Sequence, residues 1–179
     1  MIYDILRQRR EIILGEWKQA ALDFFAAGAF KPAKKSVDRF GNPLVYTVTT
    51  ALETILDEFI NGVRTARTDE ALEDVVKIRS LQSDKPSTAL AFLFSFKKTI
   101  ADQLADPGNK GINDIETEKI YSALDDLILA AFDIFMRCRE KIYEIRSNEI
   151  KRRSYKLWER AGIADPSLTR KGESDDDDS

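Results

Sequence analysis

The chain has 179 residues, 33% of them charged and 43% hydrophobic, with a formal charge of -3 and no histidine. That length suits one domain, two at most, and can bury a core without a disulfide or metal staple. The missing histidine excludes Ser-His-Asp and Cys-His nucleophile systems, His-ligated zinc and a proximal-His haem, and the small net charge sets up no field that demands nucleic acid. Eight glycines and five prolines make up about 7% of the chain, against about 12% in an average protein. That poverty of turn formers argues for long helices, and the fold class expected is all-α.

Five helices are expected, in chain order. The first covers Tyr3–Ala26, with Ile5, Leu6, Ile12, Ile13, Trp17, Ala21, Leu22 and Phe25 at helical spacing. Gly28 and Pro32 end it, and a loop follows. The second starts at Pro43 behind Asn42, because Asn is a strong N-cap and Pro suits the first helical position. Its stripe runs from Leu44 and Val45 through Val48, Leu52, Ile55, Leu56 and Phe59 to Val63, and Gly62 ends it. The third covers Asp69–Gln82, capped by Asp69 or Thr68, and the fourth Pro86–Leu104. The middle of the fourth, ALAFLFSF, is apolar all round and is expected to be wrapped by neighbours. DPGNKGIN breaks the chain, and Asn113-x-x-Glu116 restarts it as a capping box.

The last helix is very long. From Asp114 to Ala161 there is neither Gly nor Pro. About 48 residues at 1.5 Å each give roughly 72 Å, against roughly 20–35 Å for the others, so about half of it must project or bend back. Tyr121, Leu124, Ile128, Ala131, Phe135, Cys138, Ile142 and Ile145 form a heptad-like seam that fails at Glu149 and Arg152. The organisation expected is a bundle over residues 1–138, the rest of the long helix over 139–163, and a disordered acidic tail over 164–179 that holds one large aliphatic residue, Leu168.

The single cysteine, Cys138, suits a reducing compartment. The N-terminus lacks the apolar core and cleavage site of a signal peptide. The longest apolar runs, Ala89–Phe94 and Leu127–Phe132, fall far short of a membrane span. A cytoplasmic protein is expected.

No P-loop, GxGxxG, GxSxG, HExxH or CxxC occurs, so no enzyme, cofactor or metal site is expected. The abundant carboxylates read as solvated helix faces; a carboxylate-bridged metal site in a bundle normally draws on Glu-x-x-His pairs. Cys138 reads as a small buried hydrophobe on the seam, with a redox or haem-ligating thiolate between Arg137 and Arg139 as the alternative. Arg79 borders an apolar face near Val75 and Val76. It is either a snorkelling or salt-bridged arginine or an anion-binding group in a sensory pocket, and Gln82, Tyr46, Phe92 and Phe96 are the other pocket candidates. Phe92, Phe94 and Phe96 otherwise read as core. Arg137–Arg160 holds nine basic and four acidic residues. That stretch reads as a solvated helix end, as a dock for an acidic partner, or as a weak contact with an anionic membrane surface. Nucleic acid is not expected, because aromatic residues are not interleaved with the basic ones.

Two stretches carry a resemblance. Asp38–Phe59, with the pattern D-R-F-x-N-P before an amphipathic helix, and Leu72–Ile100, with I-R-x-x-Q before P-S and a Phe-rich helix ending in K-K, resemble the N-terminal domain of the RsbT co-antagonist proteins, the RsbRD N-terminal domain type. With its flanking helices the likeness covers roughly residues 5–145. It implies a helical, often globin-like but haem-free, sensory module that dimerises and sends a helix on to a STAS domain carrying phosphorylatable threonines. Only 18 residues follow Ala161, so kinase sequestration and phospho-switching are not expected here. The motif positions Asp38, Arg39, Asn42, Pro43, Arg79 and Gln82 carry over as structural or pocket polar groups, and no catalytic residue is implied. The reading is a non-catalytic regulatory module that dimerises and meets an unidentified partner protein through Ile142, Ile145, Ile150, Leu157 and Trp158 of the last helix. The alternative is an accessory or docking protein of a larger complex, such as a membrane respiratory one.

Overall fold

The computed structural model describes residues 2–26, 42–82, 85–109 and 112–161. Among these residues there are seven helices and no strand: α1 (Ile2–Gln8), α2 (Arg10–Ala26), α3 (Pro43–Ile60), α4 (Ala66–Leu81), α5 (Pro86–Ala89), α6 (Ala91–Leu104) and α7 (Asp114–Arg160). The all-α expectation holds. Five expected helices become seven because two of them break. The first is interrupted at Arg9 alone: the Arg9 N–H still donates to the Ile5 carbonyl at 3.1 Å and the Ile13 N–H to the Arg9 carbonyl at 3.0 Å, while the Arg9 guanidinium reaches Gln103 Oε1 at 3.0 Å and Asp106 Oδ2 at 2.7 Å. The fourth breaks at Leu90 (φ -96°, ψ 2°), after a single turn opened by Pro86.

α3 follows its sequence signals closely. Asn42 Oδ1 accepts a hydrogen bond from the Val45 N–H at 3.3 Å, and Pro43 occupies the first turn. At the other end the Gly62 N–H donates to the Phe59 carbonyl at 2.9 Å and the Val63 N–H to that of Glu58 at 3.1 Å. These two bonds form a Schellman cap, with Gly62 in the left-handed region at φ +67°. Val63 therefore lies beyond the helix and is exposed, not the last member of its stripe.

α4 begins three residues earlier than expected, at Ala66, with Thr65 as N-cap in place of Thr68 or Asp69. Glu58 of α3 explains the shift. Its carboxylate accepts from the Thr65 N–H at 2.9 Å, from the Thr65 hydroxyl at 2.6 Å and from the Thr68 hydroxyl. These bonds hold the carboxyl well below its usual range, at about 2, with the Thr65 and Thr68 hydroxyls as the leading causes.

The chain divides between Arg139 and Glu140 into two compact units. In the first, α2 packs on α6 and α3, α3 packs on α4, and α1 lies against α3 and α6. Trp17 is the centre of this core. It is fully buried, its ring stacks on Phe96 at 4.0 Å, and its indole N–H donates to the Phe92 carbonyl at 2.7 Å. Phe59 meets Phe96 edge-on at 5.3 Å. Ile12 and Phe94, expected inside, are exposed. On α7 the buried positions are Ile120, Leu124, Leu127, Ala131, Ile134 and Phe135, whereas Tyr121 and Ile128 of the expected stripe are only half-buried. In the second unit α7 runs on from Glu140 to Arg160.

Candidate functional site

Arg79 stands in the last turn of α4 and is 2% exposed. A buried guanidinium needs acceptors for its fork of donors. One nitrogen donates to Gln82 Oε1 at 2.8 Å and to the Phe24 carbonyl at 3.3 Å, and the other to the Thr88 carbonyl at 3.5 Å. Its carbon lies 5.2 Å from the centre of the Phe25 ring, a cation–π distance. Phe24 belongs to the last turn of α2, where carbonyls lack helical partners and the helix dipole favours a cation, and Thr88 to the single turn of α5, where its carbonyl also accepts from the Leu90 N–H. Arg79 thus ties together the ends of α2, α4 and α5. The spacing in I-R-x-x-Q acquires a physical reason, because three residues apart on a helix end brings Arg79 and Gln82 into contact.

The other pocket candidates lie elsewhere. Phe92 and Phe96 are core residues against Trp17. Tyr46 is exposed on α3, beside Thr50, Arg67 and Asp74 in an open depression of about 280 Å³. The five candidates therefore do not share one cavity. Asp38, Arg39 and the expected acidic tail lie outside the described residues.

A narrower apolar cleft of about 190 Å³ was not among the expected features. Tyr3, Ile55, Phe59, Val63, Ala123 and Leu127 line it, together with Arg64, Thr68 and Asp126. Gly62 borders it, where a Cβ would stand 3.1 Å from the Tyr3 ring. The one sequence signal for this cleft was the glycine ending α3. Nothing in the periodicity of α1 or α7 marked Tyr3 or Ala123.

In the second unit Ile145, Ile150, Leu157 and Trp158 are exposed and Ile142 is half-buried. Tyr143, absent from the expected set, is exposed as well. Glu149 bridges Arg152 and Arg153, both at 2.7 Å, and the Arg153 hydrogen bond is the main reason its carboxyl is held below the usual range. Cys138, in the first unit, is half-buried and free of any disulfide. Among the described residues no group of three His, Cys, Asp or Glu side chains is placed to hold a metal ion. No helix there is long and apolar enough to cross a membrane.

No curated protein and no solved structure matches the chain. A family model, the RsbT co-antagonist protein rsbRD N-terminal domain, matches residues 26–150. That span holds α3 to α6, the Arg79–Gln82 pair, and α7 as far as Ile150. The chain therefore belongs to the RsbT co-antagonist rsbRD N-terminal domain family, whose members are stress-signalling regulatory modules.

Proposed function

We propose that this chain is a non-catalytic signalling module of the cytoplasm that receives its signal in the helical bundle and acts through protein–protein contact along the second half of α7. The observation that carries this reading is the exposure of Ile145, Ile150, Leu157 and Trp158 within one stretch of helix. Of these, Ile150 and Leu157, seven residues apart, share one face of the helix, and large apolar side chains left exposed on one face support an interaction site. The apolar cleft beside Gly62 supports the sensing half of the reading, being about 190 Å³ where an apolar cavity of about 150 Å³ holds a molecule such as benzene. Arg79 serves this reading as a rigid strut, since its donors are directed at helix-end carbonyls. Self-association through Ile142 and Ile145 belongs to the same reading.

Light scattering on the full chain, wild type against Ile142→Asp with Ile145→Asp, tests it. The expected result is an assembly above 20.4 kDa that the double variant returns to a monomer with an unchanged helical spectrum. A strict monomer at tens of micromolar that also binds no helical partner would sink the reading.

A further inference from the structure

Within the second unit, Tyr143, Ile150 and Leu157 recur every seven residues and are 56%, 64% and 62% exposed. Ser147, Ser154 and Ala161 interleave with them at intervals of four and three. Alternating spacings of that kind make a coiled-coil seam, here with large side chains at one seam position and small ones at the other. Three residues beyond each large side chain stands an arginine: Arg146, Arg153 and Arg160, all exposed. In the first unit α7 carries the same interval at Leu129 and Met136, both exposed.

The charges and sizes along this seam select its occupant. A second copy laid parallel sets Arg146 against Lys151 of the copy and faces Ser147 and Ser154 with themselves, leaving the small positions unfilled. Laid antiparallel, large meets small, but Arg153 meets Arg153 and Lys151 meets Lys151. Like charges at flanking positions select against a pairing. A lipid surface fits poorly too. The apolar row is one residue wide every two turns, and Glu144, Glu149 and Glu159 interrupt the basic residues, whereas surface-lying helices present a broad apolar face under a basic one. We infer that the Tyr143–Ile150–Leu157 face of α7 docks an acidic amphipathic helix of another protein. Its large apolar side chains would sit over Ser147 and Ser154, and its Asp or Glu side chains would meet the arginine row. Arg153 is already engaged by Glu149 on its own helix, so Arg146 and Arg160 carry most of the selection. The inference rests on the reading that α7 is the output element, and it adds the chemistry of the partner.

The test uses the full chain and two labelled synthetic 28-residue helices that share one leucine seam. One carries Glu at the flanking positions and the other Lys. Fluorescence anisotropy should show the Glu helix binding at least tenfold more tightly at low salt, with the gap narrowing at 0.5 M salt. Ile150→Asp with Leu157→Asp should abolish binding while leaving the helical spectrum of the bundle intact. Arg146→Glu with Arg160→Glu should reverse the preference towards the Lys helix. Equal binding of the two helices, or a preference that charge reversal leaves in place, would overturn the inference. So would recruitment to phosphatidylserine vesicles with neither helix bound, in favour of a lipid surface. If neither helix binds and light scattering shows a dimer that Ile150→Asp dissolves, the face belongs to a second copy; the inference falls and the output role of α7 stands.

Discussion

Arg79 separates a structural role from a ligand-binding one by what its loss would do. Arg79→Ala takes a donor from the carbonyls of Phe24 and Thr88 and from the Gln82 amide oxygen. Phe24 and Thr88 are exposed and Gln82 is half-buried, so water replaces part of what is lost and the cost is about 0.5–1.5 kcal/mol, before any loss of packing against Phe25. Arg79→Lys should recover only part of this, because an ammonium lacks the planar fork. Chemical denaturation checks the order wild type, Lys, Ala. An alanine variant as stable as wild type would remove the strut and reopen the anion-binding alternative. Glu58 makes a second prediction at this scale. Its folded value of about 2 lies below the ordinary 4.5, so its contribution is fully present above about pH 4.5. It is lost as pH falls towards 2, where the folded protein must also take up the proton. Thermal midpoints between pH 2 and 6 should fall more steeply in wild type than in Glu58→Gln, which lacks the titrating acceptor. Parallel curves would show that the threonine hydroxyls do not hold this carboxylate. Gly15 runs the other way. It is exposed in the body of α2, and a Cβ there meets nothing within 4 Å. Gly15→Ala should therefore stabilise by about 0.5–1 kcal/mol, read as a rise of about 1–4 °C in the thermal midpoint.

Among the elements, α3 was almost wholly legible in the sequence, and α1/α2 and α5/α6 were not. α3 has a capping Asn, a Pro at its first position, one apolar stripe and a terminating Gly, and each signal acts within a single turn. The breaks at Arg9 and Leu90 carry no Gly or Pro. Beside them stand tertiary contacts, the Arg9 links to Gln103 and Asp106 and the Trp17 bond to the Phe92 carbonyl within α6, which no local pattern encodes. The ends of α3 are the place to test the local signals. Asn42→Ala removes the oxygen that accepts from Val45 and should cost about 0.5–2 kcal/mol. Gly62→Ala should cost at least about 1 kcal/mol, since it puts a Cβ on a left-handed residue and drives it to 3.1 Å from the Tyr3 ring. Tyr3→Ala in the same chain should relieve the steric share and leave the conformational one. Full recovery in that double variant would mean that the backbone strain is negligible. α7 shows a different limit of periodicity. The seam read from spacing, through Leu124, Ala131 and Phe135, is the one buried in the core, though Tyr121 and Ile128 are only half-buried; the second row, through Leu129, Met136 and Tyr143, falls outside that reading. The candidate site shows the same limit. Arg79 and Gln82 were found together because they are neighbours on one helix, while the cleft at Gly62 draws on α1, α3 and α7 and leaves no local trace.

For the whole molecule the decisive fact is where burial stops. Every buried apolar side chain among the described residues lies between Ile2 and Phe135. From Glu140 to Arg160 the helix has backbone bonds, a Lys141–Glu144 pair and Glu149–arginine pairs but no buried side chain, and most helical stability in proteins comes from tertiary packing. Local stability follows buried contacts, so amides in the two parts of α7 should exchange by different routes. Those around Leu124–Phe135 should exchange only with global unfolding. Those from Tyr143 to Arg160 should exchange many orders of magnitude faster in the free chain, and should slow when a partner covers the helix. The same reasoning bears on truncation. A chain ending at Arg139 keeps the whole described core, including the Arg139 hydrogen bond to the Ser80 carbonyl at 3.1 Å. Its thermal midpoint should stay within about 3 °C of the full chain, a difference of about 1 kcal/mol or less. A fall of about 10 °C, or strong protection of Tyr143–Arg160 in a monomer, would mean that the second unit stabilises the first. The apolar side chains of the second unit would then be spoken for within the chain itself, and no surface would remain for a partner helix.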